Sequence, residues 1–208
     1  MRRTILLISA SLLVLTACTQ KNDGSPSASA NTPGQASPPS STDQVPGPGV
    51  PKVETPIDVT HFQQTPCDSL TPNQINDLLG SNITPKPEPT SPAGPSCIWN
   101  TPNISQAGVH VTFTNVDKLG LTSVYRARGT TYPFFKPLEP VDGYPLVAYD
   151  GEGDQSTKGR CTVAMGTSDT QTVDINIAQS EANIGKKDPC AAAREVAGKV
   201  LENLRNGK

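Results

Sequence analysis

Four widely spaced cysteines constrain the fold of this chain more than any other sequence feature. Cys67, Cys97, Cys161 and Cys190 form an even set, which is typical of two disulfides in an exported domain. A four-cysteine zinc site is the competing interpretation, but such sites use close Cys-x-x-Cys pairs. No two of these cysteines are near neighbours in the chain. The spacing therefore favours two disulfides, which require an oxidising compartment.

The first 18 residues predict export to such a compartment. Arg2-Arg3 precedes an apolar run from Ile5 to Leu15, and Leu15-Thr16-Ala17-Cys18 follows. This pattern is typical of a lipoprotein signal peptide, in which residues 1–17 are removed and Cys18 receives the lipid. The apolar run is too short for a transmembrane helix, which needs about 20 residues. We expect the mature protein to lie on the extracellular face of the cell membrane, anchored through acyl chains such as palmitate.

Composition divides the rest of the chain into two parts. Residues 18–56 are rich in Ser, Pro, Gly, Ala and Thr, so they contain too few large apolar side chains to offset chain entropy. This segment is predicted to be a disordered tether, and a flexible chain of its length spans about 35 Å on average. Residues 57–208 are long enough for a single domain with its own core.

The net charge argues against a nucleic-acid partner. The whole chain has a formal charge of −2. Removing residues 1–17 takes away Arg2 and Arg3 and leaves 15 basic against 19 acidic residues, a charge of −4. Because the chain is acidic and has no basic run, we expect membrane attachment through the lipid and no nucleic acid.

Two helices have clear start signals. Thr71, Pro72 and Gln74 form the pattern of a capping box, and Gly80 follows as a stop. Near the end of the chain, Asp188 and Pro189 predict the start of a long helix that ends at about Asn206. Its apolar stripe comprises Ala193, Val196, Ala197, Val200, Leu201 and Leu204. A further short helix is expected between residues 117 and 128.

Alternating side chains predict several antiparallel strands. Four of them span residues 97–100, 108–114, about 134–141 and 144–150, with Asp142-Gly143 as a tight turn. A further hairpin places Cys161, Val163 and Met165 on the same face as Val173, Ile175 and Ile177. On its partner strand Thr172, Asp174 and Asn176 point to the other face. Residues 81–96 are expected to be irregular. The predicted fold is α+β, an antiparallel sheet of about five or six strands with helices packed on it.

This arrangement suggests a pairing of the cysteines. Cys161 faces the core, and Cys190 opens the helix that should cover that core, so a bridge between them is geometrically reasonable. Cys67 would then pair with Cys97. Four cysteines allow three connectivities, and the other two stay open at this point.

A search for catalytic motifs finds no candidate residues. The chain has two histidines, of which His110 is expected to face solvent from a strand, and His61 has no partner nearby in sequence. Nucleophile-elbow, zinc-protease and phosphate-loop motifs are absent from the sequence. We therefore predict no catalytic residues and no cofactor.

One acidic stretch resembles the start of a calcium loop. Asp150-Gly151-Glu152-Gly153-Asp154 carries carboxylates at alternate positions, but the downstream bidentate glutamate is missing. We interpret it as a polar hairpin loop and predict no metal site. Distant acids such as Asp142, Asp150 and Glu152 could still converge in space.

The distribution of aromatic residues suggests a binding surface. Five of the nine aromatics fall between residues 132 and 149: Tyr132, Phe134, Phe135, Tyr144 and Tyr149. Aromatics beside prolines can line a ligand groove or a partner surface. The alternative is that they belong to the core, which is the more common place for such side chains.

Several short motifs resemble a known family. They are Pro66-Cys67-Asp68-Ser69-Leu70-Thr71, Cys97-Ile98-Trp99, Gly143-Tyr144-Pro145 and Asp188-Pro189-Cys190-Ala191-Ala192-Ala193. Together with the signal and the tether they resemble actinobacterial lipoproteins of domain-of-unknown-function family 3558. The resemblance implies an exported, lipid-anchored domain in a Gram-positive envelope and implies no established reaction.

The leading functional hypothesis is a non-catalytic binding or interaction domain of the cell envelope. Its ligand would be an unknown envelope protein or a small molecule. The alternatives are an envelope enzyme, such as a cell-wall glycan hydrolase with paired acids, and an accessory subunit of an envelope complex.

Overall fold

The computed structural model describes residues 44–102 and 107–207. The expected signal peptide, Cys18 and residues 18–43 of the expected tether lie outside the described residues. The described chain is organised around a seven-stranded sheet in which every pairing is antiparallel. The strands are β1 Lys86–Glu88, β2 Ser96–Asn100, β3 Gly108–Phe113, β4 Phe134–Val141, β5 Tyr144–Asp150, β6 Arg160–Ser168 and β7 Gln171–Ala178, in the spatial order β1-β2-β3-β7-β6-β5-β4.

Four α-helices accompany the sheet in the described part of the chain. They are α1 Thr60–Gln64, α2 Pro72–Leu79, α3 Leu121–Arg126 and α4 Pro189–Asn206, and three short 3-10 helices connect strands and helices. The α+β class and the long C-terminal helix agree with the sequence prediction. None of the helices in residues 44–102 and 107–207 is both long and apolar enough to cross a membrane.

The sheet has seven strands and not the five or six expected, because the sequence carries no signal for β1. Residues 86–88 lie inside the stretch that was expected to be irregular, and they pair with Glu88 opposite Ser96. Lys86-Pro87-Glu88 carries no apolar alternation, and Lys86 and Pro87 are exposed. A three-residue edge strand needs no apolar pattern, since it pairs on one side only. Proline is also tolerated there because its missing N–H can face solvent.

Both edges of the sheet contain proline. Pro87 lies in β1, and Pro137 and Pro140 lie in β4 at the opposite edge. An edge strand presents unpaired N–H and C=O groups that can pair with another chain. Prolines remove donors from these edges, so they disfavour the addition of a further strand.

The central hairpin separates the two faces of the sheet. Val163 pairs with Ile175 and Met165 with Val173, and all four side chains are fully buried on one face. We call this the main-core face. The sequence prediction for this hairpin is confirmed. Val111 and Phe113 of β3 and Trp99 of β2 extend the same buried face toward β1.

Helix α4 covers the main-core face. Its apolar stripe is buried as predicted and packs against β6 and β7. The carboxylate of Asp188 accepts a hydrogen bond from the Cys190 N–H at 2.8 Å, and Pro189 occupies the first turn. The helix therefore begins at the predicted position, because its first free N–H groups find a side-chain acceptor.

The predicted capping box of α2 is present. Gln74 N–H donates to Thr71 Oγ1 at 3.3 Å, and Thr71 N–H donates to Gln74 Oε1 at 2.8 Å. Gly80 ends the helix with a φ of 89°, which a side chain would disfavour. Leu70 and Ile75 are both buried on either side of the cap.

The third predicted helix is shorter than expected. The expected span was 117–128, whereas α3 covers only Leu121–Arg126. Gly120 has a φ of 54°, and an added Cβ would clash with the backbone oxygen of Asp169. The chain therefore turns at Gly120 and cannot be helical before it.

The N-terminal boundary of the domain also differs from the prediction. Residues 44–56 were assigned to the tether, but they lie along the domain together with residues 57–59. Gly47 N–H donates to Thr122 Oγ1 at 3.0 Å, and the Tyr144 hydroxyl donates to Thr55 O at 2.7 Å. Val53 is only 3% exposed. We call residues 44–59 the N-terminal strap.

Two disulfides connect helices to the sheet, and the predicted pairing is confirmed. Cys67–Cys97 joins the 3-10 helix before α2 to β2, with Cα atoms 5.0 Å apart. Cys161–Cys190 joins β6 to the first turn of α4, with Cα atoms 5.1 Å apart. Each bridge therefore ties a covering element to the main-core face.

Loss of either bridge should destabilise the domain by a similar amount. The two closed loops have sequence separations of 30 and 29 residues, and loops of this size correspond to about 3.5 kcal/mol in the chain-entropy treatment. We expect the Cys67→Ala/Cys97→Ala and Cys161→Ala/Cys190→Ala variants to lower the free energy of unfolding in urea by comparable amounts. Each variant retains the other bridge and serves as its control. Non-reducing peptide mapping that joins Cys67 to Cys161 or Cys190 would contradict the pairing.

Candidate functional site

The face of the sheet opposite the main core is divided into an apolar and a polar part. We call it the second face. Near β4 and β5 it is packed, because Leu121 and Val124 of α3 contact Val147 and Ala164. Farther along β6 and β7 the same face carries Thr162, Asp174 and Asn176. Asn176 is exposed and the other two are half-buried, so this part of the second face reaches solvent.

A short hydrogen bond joins two side chains at the border of these parts. The Tyr149 hydroxyl donates to Asp174 Oδ2 at 2.6 Å. The other carboxylate oxygen, Oδ1, is buried and has no hydrogen-bond partner in the described residues. Strand register produces this contact: Tyr149 lies opposite Thr162, and Asp174 lies opposite Ala164 two residues further along β6. A long tyrosine side chain can span that diagonal.

Burial perturbs both groups. It raises the pKa of Asp174 to about 6, although the Tyr149 hydroxyl partly opposes the shift by stabilising the carboxylate. Burial, with the neighbouring Asp174 charge as the second cause, also raises the pKa of Tyr149 far above its ordinary value. At neutral pH the site therefore holds a neutral phenol and a mostly ionised, poorly solvated carboxylate.

A second tyrosine lies against the first. The rings of Tyr132 and Tyr149 have centroids 4.6 Å apart at an interplanar angle of 60°. The tight turn after α3 holds Tyr132 in place, since its N–H donates to Ala127 O and its carbonyl accepts from Gly129 N–H, both at 2.9 Å. Tyr132 is half-buried. Burial is the main reason that its pKa is raised, and the negative charges of Asp174 and Asp117 raise it further. We call Tyr132, Tyr149 and Asp174 the tyrosine–aspartate site.

The structure does not bring the five aromatics of the expected binding surface together. Tyr132, Phe135 and Tyr149 lie on the second face, where Phe135 packs edge-to-face on Tyr125 at 4.9 Å. Phe134 and Tyr144 lie on the main-core face instead. Strand alternation explains the separation, because Phe134 and Phe135 are consecutive residues of one strand.

The histidines and the acidic residues do not join this site. His110 is half-buried on β3, with Nε2 3.3 Å from Thr112 Oγ1, and burial lowers its pKa. His61 lies 3.8 Å from Asp68 Oδ2, away from the second face. Asp142 and Asp150 flank opposite ends of β5, which places them roughly 20 Å apart. The three acids considered from sequence therefore do not converge.

The acidic loop after β5 uses its carboxylates to hold its own backbone. Asp150 Oδ1 accepts from Glu152 N–H at 2.7 Å, and Asp154 Oδ1 accepts from Ser156 N–H at 2.9 Å. That hydrogen bond is also the main reason that the pKa of Asp154 is lowered. Within the described chain, no group of three or more His, Cys, Asp or Glu side chains could hold a metal ion.

A cleft of about 620 Å³ lies between the N-terminal strap, the β4–β5 turn and the end of α4. Its charged side chains are already satisfied: Arg205 pairs with Asp142 at 2.8 Å, and Asp58 accepts from the N–H and hydroxyl of Thr60. Arg205 also lies over the Tyr144 ring, 5.2 Å from its centroid. The cleft thus offers room but no unmatched charge, whereas the tyrosine–aspartate site has an unmatched carboxylate.

A family comparison gives the place of the chain among known proteins. The model of the family described as "Protein of unknown function (DUF3558)" matches residues 13–203. The chain belongs to this family. No curated protein and no solved structure matches it. The match confirms the domain family that the cysteine motifs indicated, and it brings no catalytic or binding residue to this chain.

The sequence marks Tyr132 and Tyr149 as candidate binding residues but not Asp174, and it does not show that the tyrosine and the aspartate meet. Alternation had already placed Asp174 on the face opposite the core, and Tyr149 had been marked as a candidate surface aromatic. The missing information was the register of β5 against β6 and of β6 against β7, which decides that the two side chains meet. An acidic residue inside a strand otherwise rich in Val and Ile was the one available signal.

The raised pKa of Asp174 predicts a dependence of stability on pH. Because the folded-state pKa lies above the ordinary value of 3.8, this group stabilises the fold below pH 4, and its contribution is lost as the pH rises through 6. The loss is at most about 3 kcal/mol, and less to the extent that solvent reaches the half-buried residue. We expect the stability of Asp174→Asn relative to the wild type to increase between pH 4 and pH 7.5. Urea unfolding at both pH values measures this change.

The matched control for this experiment is Asp77→Asn, which replaces an exposed aspartate on α2. A stability difference between wild type and Asp174→Asn that is the same at both pH values would contradict the prediction.

Proposed function

We propose that this DUF3558 chain is a lipid-anchored binding domain of the cell envelope that contacts its ligand through the second face of the sheet. The observation that carries the proposal is the carboxylate of Asp174. It is poorly solvated, one of its oxygens has no hydrogen-bond partner in the described residues, and no ion pair to it occurs there. Such a group costs stability, and costly ionisable groups concentrate at functional sites.

The surroundings of this carboxylate support a binding role. The main-core face is filled by helices, and the packed part of the second face is filled by α3. The tyrosine–aspartate site lies where the packed part ends, beside the exposed Asn176. A ligand can therefore approach it across the strands β6 and β7 without opening the core.

The proposed location rests on the cysteines and on the N-terminal sequence. Two disulfides suit an oxidising compartment outside the cytoplasm. Cys18 follows the lipoprotein pattern, so we propose that its acyl chains hold the domain at the membrane. Because residues 44–59 pack on the domain, the proposed tether shortens to residues 18–43. A flexible segment of that length spans about 30 Å on average.

The attachment has a direct test in the full-length protein. We expect Cys18→Ala to abolish metabolic labelling with a fatty-acid probe and to release the protein from the membrane fraction, because no thiol remains for acylation. Thr19→Ala is the matched control and should retain both the label and the membrane association. Unchanged labelling of Cys18→Ala would refute the lipid anchor.

The binding surface can be tested by photo-cross-linking in cells that express the protein. A benzoylphenylalanine at position 176 lies on the exposed part of the second face, and one at position 202 lies on the exposed side of α4. We expect cross-linked adducts at position 176 and a much lower yield of adducts at position 202. Intact-mass analysis of the recovered domain detects both protein and small-molecule adducts.

The two possible kinds of adduct distinguish an accessory subunit from a ligand-binding domain. A single recurring protein mass at position 176 supports an accessory role, and a small recurring mass supports a ligand. Equal adducts at the two positions, or adducts at position 202 alone, would refute the proposed surface.

A further inference from the structure

The tyrosine–aspartate site combines a negative charge with two aromatic rings. Tyr149 donates its hydroxyl hydrogen to Asp174, and Tyr132 lies on Tyr149 with centroids 4.6 Å apart. A phenol that donates a hydrogen bond to a carboxylate has a more electron-rich ring. The negative face of such a ring attracts cations within about 6 Å of its centroid.

The same face already contains one cation–aromatic contact. The guanidinium of Arg128 lies over the Phe135 ring, 5.4 Å from its centroid. Among the described residues, no lysine or arginine is found over Tyr132 or Tyr149, although the Tyr149 hydroxyl is hydrogen-bonded to a carboxylate. Within residues 44–102 and 107–207, a cation is thus supplied to the neutral phenylalanine and none to the more negative tyrosine pair.

Neighbouring ionisable groups add to the negative potential. Asp117 acts on Tyr132, and Asp150 acts on Tyr149. On β3, Thr112 lies opposite Asp174, and burial lowers the pKa of nearby His110, so that histidine is mainly neutral at pH 7. On β6, Ala164 and Thr162 carry no charge. None of these neighbours of Asp174 therefore brings a positive charge to it, and Arg160 of the same face lies four residues from Ala164, at the start of β6.

The hydrogen-bonding groups of this face are largely paired with one another. Asn176 Nδ2 donates to Thr162 Oγ1 at 2.7 Å, and Thr112 lies within hydrogen-bond distance of His110. A ligand that depends on hydroxyl groups, such as a neutral sugar, would have to break these bonds. The negative charge of Asp174, by contrast, is not neutralised by an ion pair within the described residues.

We infer that the tyrosine–aspartate site binds an ammonium group, such as the side-chain amine of a lysine-like residue on an envelope ligand. The ammonium lies over the tyrosine rings, and the counter-charge is Asp174 at the hydroxyl of Tyr149. The inference rests on the proposed function and names the chemical class of its ligand. Anions are disfavoured, since Asp174, Asp117 and Asp150 would all repel them.

A small-molecule titration tests the inference directly. The probe is Nα-acetyl-lysine methylamide, which has one ammonium group and no other charge. We expect saturable changes in the ¹H–¹⁵N amide spectrum of the wild-type domain around Tyr132, Tyr149 and Asp174. The Nε-acetylated form of the same probe has no positive charge and should leave these signals unchanged.

Single-residue variants then show whether binding depends on the charge of Asp174 or on the shape of the site. Asp174→Asn keeps the size of the side chain but removes its charge, and we expect it to weaken binding at least tenfold. Asp77→Asn removes an exposed carboxylate of α2 and should bind like the wild type. The amide spectrum of each variant shows whether it retains the native fold.

The pH dependence gives a second readout. The probe amine stays protonated from pH 5 to 7.5, whereas Asp174 with a pKa of about 6 loses most of its charge over that range as the pH falls. We expect the wild type to bind about tenfold more weakly at pH 5 than at pH 7.5. The Asp174→Asn variant should show no such change.

The experiments distinguish a failure of the ammonium inference from a failure of the proposed binding surface. Binding of the Nε-acetylated probe with equal affinity, undiminished binding by Asp174→Asn, or binding of N-acetylglucosamine in place of the amine would each overturn the ammonium inference. If adducts form at position 176 in cells while the amine probe fails, the binding surface stands and only its ligand class is wrong. If the cross-linking experiment fails, the proposed binding surface itself is refuted.

Discussion

The packing of α4 on the central hairpin is the contact on which the rest of the domain depends. Eighteen helical residues extend about 27 Å, and one stripe of that length buries the middle of the main-core face. Cys161–Cys190 attaches the first turn of the helix to β6, so this end of the helix is held on the sheet. Asp188 and Pro189 define where the helix begins and thereby place Cys190 opposite Cys161.

A sheet of seven strands is wider than one helix. Neighbouring strands lie about 4.8 Å apart, so a single helix cannot cover the main-core face from β1 to β4. The 3-10 helix before α2 contacts β1, β2 and β3 instead, and Cys67–Cys97 holds it there. The two disulfides therefore secure the two covering units of the same face.

The second face receives less cover, and this asymmetry creates the candidate site. Helix α3 has six residues and packs against the β4–β6 part of that face. Asp174 lies at the margin of this packing, where one carboxylate oxygen is buried without a hydrogen-bond partner in the described residues and the neighbouring Asn176 is exposed. The sheet is a suitable scaffold, because it keeps Tyr149 and Asp174 at a fixed distance while the turn after α3 holds Tyr132 against them.

The sequence by itself determined the features that depend on neighbouring residues. The capping box at Thr71, the start of α4 at Asp188 and the two faces of the central hairpin follow from spacing along the chain. The disulfide pairing followed because Cys161 and Cys190 could be placed on two such elements. Family membership agrees with the motifs around these cysteines.

Only the tertiary structure decided the features that depend on contacts between distant residues. The strand β1 forms because β2 offers it an edge, and the N-terminal strap is ordered because Thr122 and Tyr144 bind its backbone. Phe134 and Phe135 are divided between two faces, and Tyr149 reaches Asp174 across β6. Alternation shows which face a side chain takes, but the register between strands sets which side chains meet, and that register is fixed only when the whole sheet has packed.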